Sequence, residues 1–119
     1  MSHAIEIRAS RPIDRSAIEA LYPAAFPDEE LLLIVRALFA TESRVLSLAG
    51  MIDAVSVGHV VFTCCDIDTH ENIAALLGPL AVSPDHQGEV IGSALIYEGY
   101  RKLRNTSVRH VHVLGDPAY

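Results

Sequence analysis

The chain has 119 residues, half of them apolar, with three Phe, four Tyr and no Trp. That is the size of one ordinary domain with an aliphatic core, and it argues against disorder. A formal net charge of -6 repels phosphate backbones, so no nucleic-acid partner is expected.

Met1 to Arg8 has neither a long apolar core nor a cleavage pattern, so it does not read as a signal peptide. Ala4 to Arg8 alternates, with Ile5 and Ile7 on one side, and predicts an opening strand. Asp14 stands at a helix N-cap position, and Ala17, Ile18, Leu21, Tyr22 and Ala25 follow at helical spacing. Ile13 and Ile18 occupy the two positions of a hydrophobic staple, and Pro23 and Pro27 are expected to end this helix early. Asp28, Glu29 and Glu30 place negative charge in the first turn of a second helix, where the macrodipole favours it. Its apolar stripe is Leu31, Ile34, Val35 and Leu38, widened by Leu32 and Phe39. Leu31 to Ala40 is interrupted by Arg36 and too short to span a bilayer, so no membrane partner is expected.

Arg44 to Ala49 and Val55 to Cys65 predict a hairpin joined through Gly50 to Ala54. Cys64 and Cys65 are the only cysteines; adjacent residues rarely meet disulfide geometry and offer no metal-ligand spacing. They read as strand residues of a protein in a reducing, cytoplasmic compartment. Asp53, Asp66 and Asp68 read as turn residues. Ile73 to Val82 predicts the next strand, bulged or broken at Gly78-Pro79. An amphipathic helix follows, with Ile91, Leu95, Gly99 and Leu103 as its apolar stripe and Glu98, Arg101, Lys102 and Asn105 opposite. Arg101, Lys102 and Arg104 read as a solvated helix face. Val108 to Leu114 predicts a last strand, and strand, helix, strand in this order suggests a parallel crossover. No repeat or linker divides residues 1–119, which read as a single domain.

The segment that carries chemistry runs from Leu80 to Leu95: a strand, a short Gly-containing loop and a helix start. A helix N-terminus exposes unpaired backbone N–H groups and is a natural anion site. Small residues at Gly88, Gly92, Ser93 and Ala94 let phosphates approach the main chain. Phosphate cradle and ordinary strand-to-helix turn are both open readings of this glycine pattern alone.

Gln87-Gly88-Glu89-Val90-Ile91-Gly92 resembles the Gln/Arg-x-x-Gly-x-Gly/Ala signature of the GNAT (GCN5-related) N-acetyltransferase superfamily. Leu80-Ala81-Val82-Ser83-Pro84 resembles the family's bulged strand, Gly58 to Phe62 its third strand, and Val113 to Tyr119 a stretch common in one of its branches. The resemblance keeps the element order over essentially the whole chain. It implies an α/β (α+β) fold: a mixed, mostly antiparallel sheet with helices on both faces and a splayed parallel strand pair, lacking the last two strands. It implies acetyl-CoA as co-substrate and an amine of a small molecule or protein as acceptor. The pyrophosphate would rest on the N–H groups of Gly88, Glu89, Val90, Ile91, Gly92 and Ser93, next to Gln87, and the pantetheine arm would pair with Leu80, Ala81 and Val82. A main-chain N–H near Ala81 or Val82 would stabilise the oxyanion, and Tyr119 would protonate the departing thiolate. The alternative is an inactive CoA-binding or dimeric interaction module.

The pattern departs from the family at three places. Val90 stands where Gly is usual, and Glu89 where many relatives carry Lys or Arg; both are expected to weaken cofactor binding. Relatives continue past the position of Tyr119 into two more strands, so a homodimer is expected to cover the open edge after Val108 to Leu114. His110 and His112 share one side of the last strand, as a metal pair, a pH-sensitive interface or partly buried packing. Packing is expected for Tyr97 and Tyr100, and a turn role for Asp116. Phe26, Glu29 and Glu30 lie where relatives shape the acceptor site, although helix-start chemistry accounts for the acids equally well.

Overall fold

The computed structural model describes residues 4–40, 44–88 and 90–113. Five strands form one sheet in the order β1-β2-β3-β4-β5: Glu6–Ala9, Val45–Ile52, Val55–Ile67, His70–Val82 and His110–Val113. The first three pairings are antiparallel, and β4 with β5 is parallel. Helices α1 (Arg15–Ala25) and α2 (Leu32–Phe39) lie between β1 and β2, and α3 (Ile91–Leu103) between β4 and β5. The expected mixed, mostly antiparallel sheet with its parallel crossover pair is thus present.

Period-two alternation along the strands feeds two cores, one on each face. On the α3 face, Ile91, Leu95 and Leu103 pack on Leu48, Val60, Phe62, Leu77 and Val82. On the other, Ile18, Leu21 and Tyr22 of α1 and Val35 of α2 pack on Ala49, Met51 and Ala81. The predicted α3 stripe is buried residue for residue, including Gly99. Glycine is required there because a Cβ would lie 2.1 Å from the Phe62 ring.

Several local expectations fail, and at Asp14 and Pro23 a tertiary contact prevails over sequence-local chemistry. Asp14 precedes α1, but its carboxylate does not cap the helix. It is buried and takes both Arg8 guanidinium nitrogens, at 2.6 and 2.8 Å, and the Arg11 N–H at 2.7 Å. Ile13 is 84% exposed, so no staple forms with Ile18. Helix α1 runs through Pro23 to Ala25, and its last turn closes with Phe26 N–H donating to the Tyr22 carbonyl at 2.8 Å. Burial of Ile18 and Tyr22 anchors that turn despite the proline. The acids Asp28, Glu29 and Glu30 precede α2 rather than forming its first turn. Its inward residues are Leu31, Val35 and Phe39, while Ile34 is half exposed. Both hairpin turns are tighter than expected: Asp53-Ala54 has positive φ at both positions, and β3 turns into β4 across Asp68-Thr69.

Candidate active site

The chemistry is organised at the C-terminal end of β4. Among the described residues, parallel pairing with β5 reaches Leu77, opposite Val113. Beyond it, β4 carries an extra residue against β3: the register steps from Phe62–Leu77 to Val60–Leu80, leaving Gly78 and Pro79 opposite Val61. This is the bulge the glycine and proline predicted. Leu80, Ala81 and Val82 then pair with Val60, His59 and Gly58 on the β3 side alone, among the described residues.

Ladder alternation fixes which way their main chains face. Ser83 N–H donates to the Val57 carbonyl at 2.8 Å, so Ala81, two residues back, exchanges its hydrogen bonds with His59. Leu80 and Val82 therefore turn their N–H and C=O groups away from β3, toward the β5 side. The Val82 carbonyl is met there by the Gln87 side-chain amide at 3.0 Å, which ties the loop to the strand end. Ala81 is thereby removed as an oxyanion donor, and the N–H groups turned away from β3 are those of Leu80 and Val82.

Helix α3 begins against this edge. No side chain caps its start at Val90, and the first N–H with a helical acceptor is Ala94's, 2.9 Å from the Val90 carbonyl. The N–H groups of Ile91, Gly92 and Ser93 consequently point out of the helix end. Gly88 has φ +86°, a conformation that favours glycine, and open space around its Cβ position. At Gly92 a Cβ would stand 3.9 Å from the Leu80 and Val82 side chains, so the helix start lies over this end of β4. Val90 is 69% exposed, and its side chain is therefore not packed beneath the loop. Glu89, Leu114, Asp116 and Tyr119 lie outside the described residues. Two clefts, of about 770 and 340 Å³, open elsewhere, along Arg8, Asp14 and Val55 and along Ser10, Phe39 and Ser47; neither is lined by Leu80–Val82 or the loop.

Other singled-out residues are not gathered here. His110 and His112 are exposed on β5, which removes the packing reading. Among the described residues no group of three His, Cys, Asp or Glu could hold a metal ion. Tyr97 is 69% exposed rather than packed, and Tyr100 meets the Phe62 ring edge-on at 6.2 Å. Arg101 pairs with Glu98 along the exposed face of α3. Cys64 and Cys65 are free and half-buried on β3. Among the described residues no helix is long and apolar enough to cross a membrane.

One feature was invisible in the sequence. His59 is fully buried, with Nδ1 2.7 Å from the Tyr22 hydroxyl and Nε2 2.7 Å from Ser47 Oγ. Burial pushes its pKa down to about 3, so the ring is neutral. A polar ring within the apolar run Gly58 to Phe62 was the available signal, but nothing local named its partners.

The comparisons agree with this fold. No protein-family profile matches the chain. It is 31% identical over 113 residues to the N-acetyltransferase YhbS of Escherichia coli K12, covering 94% of this chain and 68% of YhbS. A GNAT family acetyltransferase from Brucella melitensis, solved in complex with acetyl-CoA, superposes with a TM-score of 0.86 at 36% identity, over 99% of this chain and 80% of that one. YhbS itself, solved with CoA, also gives a TM-score of 0.86, over 99% of this chain and 66% of that one. The mixed sheet, with its parallel pair and three helices, is the fold of the acetyltransferases on which it superposes. The chain belongs to the GNAT family of N-acetyltransferases.

Proposed function

We propose that this chain is one acetyltransferase unit that moves the acetyl group of acetyl-CoA to an amine of a small molecule or protein in the cytoplasm. The observation that carries the proposal is the outward-facing main chain of Leu80 and Val82 set against the uncapped start of α3. The acetyl-CoA and CoA held by the two structural relatives support it. The pantetheine amides would pair with Leu80 and Val82 as an added strand, and the diphosphate would take the N–H groups of Gly88 through Ser93. Ala81 supports this edge through its bonds to His59 rather than by touching the arm.

The substrate supplies an acyl group activated as a thioester. An outward-facing N–H of this edge would be the donor to the carbonyl oxygen as negative charge develops; one such donor contributes ~3–4 kcal/mol to transition-state stabilisation. Attack forms the N–C bond and breaks the C–S bond. The nitrogen sheds one proton and the thiolate takes one, with Tyr119 assigned to the thiolate by family resemblance. Among the described residues β5 pairs on its β4 side only, and Val113 is 70% exposed; both support a homodimer paired along that strand.

Backbone amide NMR during CoA titration tests the site: shifts are expected at Leu80, Val82, Gly88, Gly92 and Ser93. Thiol release with a panel of amines tests the reaction. Binding without turnover would favour an inactive CoA-binding module, and no binding would end the cofactor reading. Light scattering after sizing tests the dimer, and a monomeric mass at micromolar concentration removes it.

A further inference from the structure

Beneath α1 and α2 runs a line of polar side chains that the proposed reaction does not use. Ser10 Oγ donates to Ser47 Oγ at 2.6 Å, and Ser47 Oγ lies 2.7 Å from His59 Nε2. His59 Nδ1 lies 2.7 Å from the Tyr22 hydroxyl, which reaches the Pro79 carbonyl at 3.5 Å, the loosest link. His59 and Tyr22 are 0% and 1% exposed. A neutral imidazole has one N–H and one lone pair. With the proton on Nδ1, each of the four bonds has one donor: Ser10 to Ser47, Ser47 to Nε2, Nδ1–H to Tyr22, and Tyr22 O–H to Pro79. The opposite tautomer spends the Tyr22 proton on Nδ1 and leaves the Pro79 carbonyl without it. Burial favours the satisfied arrangement.

The line ends where the cofactor edge begins. Pro79 lies in the bulge between the last β4–β5 pair and Leu80. His59 also pairs through its main chain with Ala81. One residue therefore holds the strand on both sides of Leu80: Ala81 directly, and Pro79 through Tyr22. Ladder alternation gives the Leu80 and Val82 N–H groups their direction, and these two anchors hold the strand that carries them.

We propose that His59 and Tyr22 are positioning residues for the acyl-CoA arm, setting the aim of the Leu80 and Val82 amides through the bonded line from Ser10 to Pro79. The inference rests on the assignment of that edge to acetyl-CoA. A bridge with a polar atom at each end suits this position, since an apolar residue at His59 would take one hydrogen-bond partner from each of the Ser47 and Tyr22 hydroxyls.

The test compares Tyr22→Phe, which removes one oxygen from the line, with Ile18→Val, which trims the same core without touching it. Calorimetric CoA affinity, melting temperature and the CoA-induced shifts of Leu80 and Val82 are measured on each full-length protein. Tyr22→Phe is expected to weaken CoA binding about fivefold, the equivalent of one ordinary hydrogen bond, and to move those two amides. Ile18→Val is expected to lower the melting temperature while leaving affinity within about twofold. If Tyr22→Phe does not fold, Ser47→Ala at the half-buried end replaces it, with an expected loss of about two- to threefold. Wild-type protein that gives CoA shifts at Leu80 and Val82, with variant affinity unchanged, overturns the positioning role alone. Wild-type protein without those shifts overturns the cofactor assignment and this inference with it.

Discussion

Mild acid should destabilise this fold through His59. The folded ring holds its neutral form down to a pKa of about 3, whereas an unfolded chain takes the proton near 6.5. Below pH 6.5 the unfolded state therefore binds more protons, and stability falls as pH falls. The loss is absent above that pH and accumulates down to about pH 3. It amounts to ~2 kcal/mol by pH 5 and ~5 kcal/mol over the whole window, a large part of a domain's usual stability. Among the described residues the ring's neighbours supply no carboxylate: Tyr22 and Ser47 are neutral, and Phe39 lies against the ring with the Arg15 guanidinium 4.7 Å from the Phe39 centroid. Asp14 acts in a separate window. Its carboxylate is held down to about 2, chiefly by the Arg8 hydrogen bonds, so its contribution is lost only below the unfolded value of 3.8. Urea unfolding at pH 7 and pH 5, on wild type and His59→Gln, isolates the histidine from the chain's other titrating groups. Wild type should lose ~2 kcal/mol more than the variant between the two pH values. Equal losses would show that the ring is protonated or solvated in the fold, and the reasoning would fail.

Gly99→Ala puts a methyl group 2.1 Å from Phe62 Cε2 and must shift a buried ring or the helix; a net loss of ~2 kcal/mol is expected, read as a melting temperature lower by roughly 5–10 °C. Asp14→Asn removes the charge that holds Arg8 and should cost ~2–3 kcal/mol at pH 7 in urea unfolding, with little effect at pH 2 where the wild-type carboxylate is itself half protonated. Gln87→Ala releases the loop from the Val82 carbonyl and should weaken CoA binding about fivefold by calorimetry while shifting the melting temperature by no more than ~2 °C. Val90→Gly should tighten CoA binding about two- to fivefold, since the branched side chain at the helix start gives way to open approach; unchanged affinity would place the phosphates elsewhere.

The strand, loop and helix from Leu80 to Ser93 were legible in the residues because their signals are local. A glycine where φ is positive, a bulge at Gly-Pro and a stripe at helical spacing each depend on neighbours within a turn or two. The α3 stripe from Ile91 to Leu103 was recovered for the same reason. Asp14 shows where such reading stops: by local rules it caps a helix, yet Arg8 on β1 claims the carboxylate once the strand is laid beside it. Which main-chain groups of β4 turn away from β3 was equally undecided, because alternation needs a register, and the register needs β3. His59 meets Tyr22 across 37 residues and Ser47 across 12. Composition and periodicity over neighbouring residues determined the elements and the candidate phosphate loop. Only the packed sheet decided how the polar groups pair, since burial lets a side chain choose a partner by distance in space rather than along the chain.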